Sequence, residues 1–329
     1  VQQTDSAFAL VAALLLTVLA AFGLAYWSYR ARTDRSARVG LYLLFGIPGG
    51  LLLVAGLATL VRNDPRLGAL LLAIGLALAL PLLKPVRGVL GRVLPLDPDS
   101  PMDMAGLAVV LVVIAFNGAP LLFPEATAPP DPSLIPAIGY LELIAQGLAF
   151  LAIAYLSVGW LIPRFDRERN VPTVRTLGEA TARLGIAFPD WRTVAIGVGA
   201  IVPCFLLAGI AGAIGVQLQP GLDEGLNEVV DQMTGAVQTI PGAIVLGLSA
   251  GIGEEAIFRG ALQPRLGIGL TSLCFALLHG GQYGLNVAIV GLLLVSIVLG
   301  LERKYVNTTA AMITHALFNA IQVAALSLM

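Results

Sequence analysis

The sequence is poor in charge, in cysteine and in histidine, and each shortage closes off a class of protein. Asp, Glu, Lys and Arg make up 12% of the 329 residues, about half the share of an ordinary soluble domain. Hydrophobic residues make up 57% and the mean hydropathy is +0.89. A water-soluble domain could not hide that much apolar surface, so the chain is expected in a bilayer. A formal net charge of -1 provides no basic surface, and no nucleic-acid partner is expected. Two cysteines, Cys204 and Cys274, make neither a disulfide framework nor a CxxC metal pair, and read as core packing. The N-terminal apolar run has no basic residue ahead of it and is too long for the core of a signal peptide, so it is expected to be a retained span.

What is present is long apolar runs. A helix needs about 20 predominantly apolar residues to cross the hydrocarbon core. Ten candidates lie near 7–29, 39–61, 67–83, 104–123, 137–162, 193–216, 240–260, 271–283, 284–301 and 308–328. The fold class is therefore all-α, a polytopic helical membrane protein of about ten transmembrane helices. The eighth candidate is short, and Gly280 with Gly281 reads as a break or hinge between the eighth and ninth.

Basic residues orient these spans, because cytoplasmic loops retain Lys and Arg. With the N-terminus outside, the inner segments hold Arg30, Arg32, Arg35, Arg38, Lys84, Arg87, Arg92, Arg164, Arg167, Arg169, Arg175, Arg183, Arg192, Arg259, Arg265, Arg303 and Lys304. Only Arg62 and Arg66 of the 19 then fall outside. Both termini are thus expected outside, in what reads as a bacterial plasma membrane. The outer loops PEATAPPDPS and DEGLNEVVDQ carry acids and no basic residue.

Three regions follow. Residues 1–162 form a five-span extension, in which Glu142 and Gln146 near the outer end of a span read as interfacial. Residues 163–192, with a broken apolar stripe through Val174, Leu177, Ala180 and Leu184, read as a linker with a helix lying along the cytoplasmic interface. Residues 193–329 form the core that carries chemistry.

In that core the polar residues are few and spaced. Glu254, Glu255 and Arg259 stand in GIGEEAIFRG, and the two histidines of the chain, His279 and His315, stand in CFALLHG and AMITHALFNA, with Asn319 four residues after His315. Glu255 and Arg259 are at i, i+4 with the acid first, so they can pair along one face. Glu254 lies about 100° around the helix from Glu255 and is left free for a cavity. A carboxylate in low dielectric can serve as general base for water. His279 can share that water, while His315 and Asn319, also at i, i+4, can donate to a tetrahedral oxyanion. The rival wiring makes His279, His315 and a glutamate three ligands of zinc, although no HExxH spacing supports it. The cofactor is thus none or a divalent metal such as zinc.

EEAIFR, FALLH and HALFN, in this order and each on an apolar helix, resemble the EExxxR, FxxxH and HxxxN motifs of the CAAX protease and bacteriocin-processing (CPBP, Abi) family of intramembrane proteases. The resemblance covers roughly the last 140 residues. It implies a helical bundle with a cavity open to the cytoplasm. It also implies a first glutamate, Glu254, acting as base, a histidine, His279, sharing the water, and the pair His315 and Asn319 holding the oxyanion. The spacer between EEAIFR and FALLH is short for the family, which bears on the packing of the His279 helix. Phe275 reads as packing for that helix.

The function expected is an intramembrane endopeptidase acting on a membrane-associated or lipidated peptide or protein. The alternatives are a catalytically silent scaffold of the same fold within a larger membrane complex, and a transporter using the acids and histidines as a proton relay. The transporter is disfavoured by the absence of repeated halves.

Overall fold

A computed structural model describes residues 2–123, 129–166 and 171–328. Arg167 and Arg169 of the basic segment, and part of the loop PEATAPPDPS, lie outside the described residues. The first half runs α1 (Gln2–Arg30), α2 (Arg35–Val61), α3 (Pro65–Ala79), α4 (Lys84–Leu90), α5 (Pro101–Gly118) and α6 (Tyr140–Ser157). An antiparallel hairpin, β1 (Pro163–Asp166) with β2 (Val171–Val174), follows, with Pro163 opposite Val174. The second half runs α7 (Leu177–Leu184), α8 (Trp191–Gly199), α9 (Ile201–Leu218), α10 (Leu222–Thr234), α11 (Ile240–Glu255), a π-helical turn (Ala256–Leu262), α12 (Gln263–Leu278), α13 (Gly280–Tyr283), α14 (Val287–Tyr305) and α15 (Thr308–Leu326).

The few short polar residues of this apolar chain stand where helices begin. Asp34, Ser100, Thr239, Asn286 and Asn307 each accept a backbone N–H of the first turn of α2, α5, α11, α14 and α15. Such caps satisfy donors that the hydrocarbon would leave bare.

Counting by length and composition gives eight helical stretches able to cross a bilayer among the described residues, against the ten expected. Two physical reasons account for the difference. The runs 240–260 and 271–283 are joined as one helical stretch, Ile240–Tyr283, and α14 carries Glu302, Arg303 and Lys304 in its last turn, which leaves its apolar part, Val287–Leu301, shorter than a full span. The joined stretch nevertheless doubles back. The rings of Phe258 and Phe275 lie 5.2 Å apart, whereas 17 residues of straight helix would hold them about 25 Å apart. The reversal is at Gly267, whose φ of 76° and ψ of 168° suit a residue without Cβ. RLGIGL, expected to be mostly loop, is therefore helical except at that one glycine. The break before α14 is likewise displaced: Gly280 and Gly281 continue as the turn α13, and the chain bends at Gly284, φ 75°.

The linker differs too. Val174 is in a strand, and the helix is confined to α7. Its Ala180 and Leu184 are fully buried against Ala154, Ala256, Ala261 and Met312, while Leu177 is exposed. One side of this short helix, Ala180 and Leu184, is thus taken up by the core.

The two halves share packing. Leu107 and Val110 of α5 enter one cluster with Phe258, Leu266 and Phe275, and the Arg265 guanidinium pairs with the buried Asp103 of α5. The Ser249 hydroxyl of α11 donates to the Leu143 carbonyl of α6. The five-span extension thus lies directly against the helices that carry the spaced polar residues.

Candidate active site

Small residues set the geometry. Gly247, Gly251 and Glu255 follow one another at i, i+4 on α11, along one face. A Cβ built on Gly247 would lie 2.4 Å from the Ala316 carbonyl oxygen, and one on Gly251 would lie 2.7 Å from the Ala316 nitrogen. Only glycine lets the α11 and α15 backbones come this close, as in other helix contacts within membranes. The next residue on that face, Glu255, is consequently brought to His315: the imidazole Nδ1 stands 2.8 Å from Oε1. An ionised carboxylate only accepts, so Nδ1 carries the hydrogen and Nε2 is left for other work.

Glu255 also pairs with Arg259, Nε to Oε2 at 2.9 Å, with both side chains fully buried. The contact is an ion pair whose angle falls outside hydrogen-bond geometry. Arg259, expected among the cations of an inner loop, is instead 0% exposed. Its turn is π-helical, with the Gln263 N–H bonded to the carbonyl of Phe258 five residues back; Pro264, next in line, has no N–H to give. Such turns recur at functional sites. Here the wide turn directs Arg259 inward, where Nη2 donates to Ser296 Oγ of α14 at 2.9 Å and the guanidinium lies 5.4 Å over the Phe275 ring. Nη1 has no hydrogen-bond partner among the described residues.

Phe275 is more than packing for its own helix. Its ring meets His279 at 4.8 Å, His315 at 5.7 Å, Phe258 at 5.2 Å and Arg259. Both imidazoles of the chain therefore sit on one aromatic ring. His279 Nδ1 is 2.9 Å from the Phe275 carbonyl, which can only accept, so this imidazole too has its Nε2 free. The ring stacks on Tyr283, centroids 6.2 Å apart and planes 4° from parallel.

Glu254 is half-buried and makes no hydrogen bond among the described residues. It acts electrostatically on Tyr283, Arg259 and His315, which places it beside the same group. Asn319 is half-buried on α15, one turn beyond His315, and makes no hydrogen bond among the described residues. The three sequence motifs thus reach one volume: Glu255, Arg259, Phe275 and His315 in direct contact, His279 across Phe275, Glu254 at electrostatic range, and Asn319 on the adjoining turn. Two clefts, of about 520 and 560 Å³, are lined by other residues.

Ser296 and Tyr283 were not anticipated from the sequence. Ser296 is the one polar residue between Val287 and Gly300, a signal that could have found it, whereas nothing in the spacing of Tyr283 distinguishes it from an interfacial aromatic.

A metal was left open by the sequence. Among the described residues no group of three or more His, Cys, Asp and Glu side chains converges closely enough to hold an ion. Each imidazole has Nδ1 engaged and Nε2 free, and the Glu255 oxygen that does not meet His315 stands against Arg259. The donor set does not fit a three-ligand zinc site, and no step is routed through a metal.

Residues 236–321 match the family described as "Rce1-like: Type II CAAX prenyl endopeptidase Rce1-like". The matched segment contains Glu254, Glu255, Arg259, His279, His315 and Asn319. No curated protein and no solved structure matches the chain.

Proposed function

We propose, from the match of residues 236–321 to a prenyl endopeptidase family, that this chain hydrolyses a peptide bond of a membrane-associated or lipidated substrate within the bilayer. The observation that carries the reading is the buried Glu255–His315 bond of 2.8 Å, which joins two motifs 60 residues apart and leaves a free imidazole nitrogen beside a second histidine and a half-buried acid. Residues 193–329 are the catalytic core in this reading. The five-span extension braces it through α5 and α6, residues 163–192 link the two, and the site faces the cytoplasm.

Chemically, Glu254 accepts a proton from water while the lone pair of His279 Nε2 accepts the hydrogen bond of the second. The water oxygen bonds to the carbonyl carbon, and the C=O π pair moves onto oxygen. Asn319 donates its amide to that oxyanion. His315 can donate from Nε2 only as imidazolium, since Nδ1 already gives its hydrogen to Glu255. The intermediate then collapses, the C–N bond breaks, and the amine leaves with the proton held by Glu254.

Glu254→Gln in purified protein, presented with a pool of membrane peptides, is expected to lose about 10²- to 10⁴-fold in turnover, as for removal of a general base. Turnover equal to wild type would remove the hydrolase reading and leave a scaffold.

A further inference from the structure

A cleft of about 520 Å³ lies away from these residues, lined by Pro95, Gln263, Pro264, Gly267, Ile268, Arg303 and Lys304. Its volume is that of a small-ligand site. It sits where α14 passes from apolar residues to charge, beside the reversal at Gly267. Tyr305 at the same helix end is 73% exposed, and Trp191, on α8 whose Thr193 is bonded to Asn307, is 78% exposed. Exposed aromatics at helix ends mark the level of the lipid headgroups.

The cations here outnumber the carboxylates available to them. Arg303 donates from Nε to the Arg259 carbonyl at 3.2 Å, and its guanidinium lies against the Cα of Gly185, which holds it in place without neutralising it. Lys304 Nζ rests over the Tyr305 ring, 5.1 Å from its centroid. Arg183 is close enough to act electrostatically on both Arg303 and Arg265. The acids nearby are spoken for: Asp103 is engaged by Arg265, and Glu302 turns away to accept from Thr314 at 2.7 Å. Arg303 and Lys304 make no ion pair with a carboxylate among the described residues, and Arg183 feels Asp103 only at electrostatic range, an acid that Arg265 already holds. Gln263 lines the cleft; its amide nitrogen donates to the Gly300 carbonyl at 2.8 Å, and its buried Oε1 has no hydrogen-bond partner among the described residues, an unmet acceptor for a donor such as a hydroxyl. Pro95, Pro264 and Ile268 make the remaining wall apolar.

We propose that this cleft binds the headgroup of an anionic phospholipid, with the phosphate on Arg303 and Lys304 and a headgroup hydroxyl on Gln263. Clustered cations between helices at the membrane boundary, beside apolar wall, are the chemistry such headgroups need. A zwitterionic lipid would bring a second cation to the cluster and is selected against.

The test uses the full chain in nanodiscs of phosphatidylcholine alone or mixed with phosphatidylglycerol, with lipid retained after release read by native mass spectrometry and affinity by titration. Lys304→Gln, an exposed position that leaves the fold alone, is expected to weaken phosphatidylglycerol retention about fivefold, and Arg303→Gln with Lys304→Gln about 25-fold. Arg32→Gln with Arg35→Gln, exposed cations where α1 turns into α2, is expected to change nothing. Retention unchanged in Lys304→Gln and in the double variant, or lost equally in the first-loop control, overturns the site. Inorganic phosphate is the remaining arm and is expected not to compete; displacement of phosphatidylglycerol by equal concentrations of phosphate would make this a site for the soluble anion and overturn the lipid assignment.

Discussion

Replacing Gly251 by alanine tests the geometry on which the candidate site stands. The added Cβ would lie 2.7 Å from the nitrogen, 2.8 Å from the Cβ and 2.9 Å from the Cα of Ala316, all fixed close to the α15 backbone. Ordinary carbon contacts begin near 3.5 Å, so α11 and α15 must separate by about 1 Å. Glu255 is one helical turn further along, and its 2.8 Å bond to His315 would stretch beyond the roughly 3.2 Å limit of an N–H···O bond. Overpacking of this kind costs about 1–3 kcal/mol, and a buried bond to a charged group is worth about 1.5–3 kcal/mol. The helix preference of alanine over glycine returns only about 1 kcal/mol. Gly251→Ala should therefore be less stable than wild type in detergent denaturation, should lose the hydrogen-bonded Nδ1–H resonance of His315 in NMR, and should lose peptide turnover. Gly212→Ala on α9 is the control, because its built Cβ meets nothing within 4 Å; it should be neutral or slightly stabilising. A Gly251→Ala protein that keeps the His315 resonance and wild-type stability would refute the claim that the glycine face sets the site.

Three further outcomes follow from the same contacts. Arg259→Ala should destabilise by about 3–5 kcal/mol in chemical denaturation, because it strands the fully buried Glu255, whereas Glu255→Gln combined with Arg259→Met should recover much of that loss; equal stability of the single variant and wild type would count against the pair. Asp103→Ala removes the partner of Arg265 and should loosen α5 from α12, seen as faster hydrogen exchange in 263–278 with little change in 308–326; uniform exchange would remove the proposed bracing. Asp190, outside the spans, caps α8 by accepting the Thr193 N–H at 2.8 Å, and that hydrogen bond holds its carboxyl below the ordinary value. Its contribution is then complete above the unfolded value of about 3.9 and is lost as pH falls through the lower folded one. Asp190→Asn should remove that part of the acid sensitivity measured by thermal denaturation, and an unchanged acid limb would contradict it.

The membrane class was legible from composition alone, since no arrangement of so apolar a chain in water hides its surface. The Glu255–Arg259 pair was legible as well, because i, i+4 on one helix is a local relation that needs no knowledge of the fold. His315 and Asn319 share a face for the same reason. The bond from Glu255 to His315 was not legible, because it depends on how closely α11 and α15 pack. The glycines at 247 and 251 were in plain view, but which helix they face is a tertiary fact. The reversal at Gly267 was legible in place but not in form: RLGIGL, residues 265–270, is Gly-rich enough to suggest loop, yet only Gly267 leaves helical geometry.

The sequence by itself determined that this chain is a set of apolar helices, that a handful of polar residues is confined to three of its stretches, and which of those residues share a helix face. Periodicity and hydropathy are local, and they act before any two helices meet. Only the tertiary structure decided that Phe275 gathers both imidazoles, that Arg259 is swallowed by a π turn onto Ser296, and that Arg303 and Lys304 are left to line a cleft. Those outcomes follow from close packing between segments far apart in the chain, where a missing Cβ or a single left-handed glycine sets distances that no spacing along the sequence encodes.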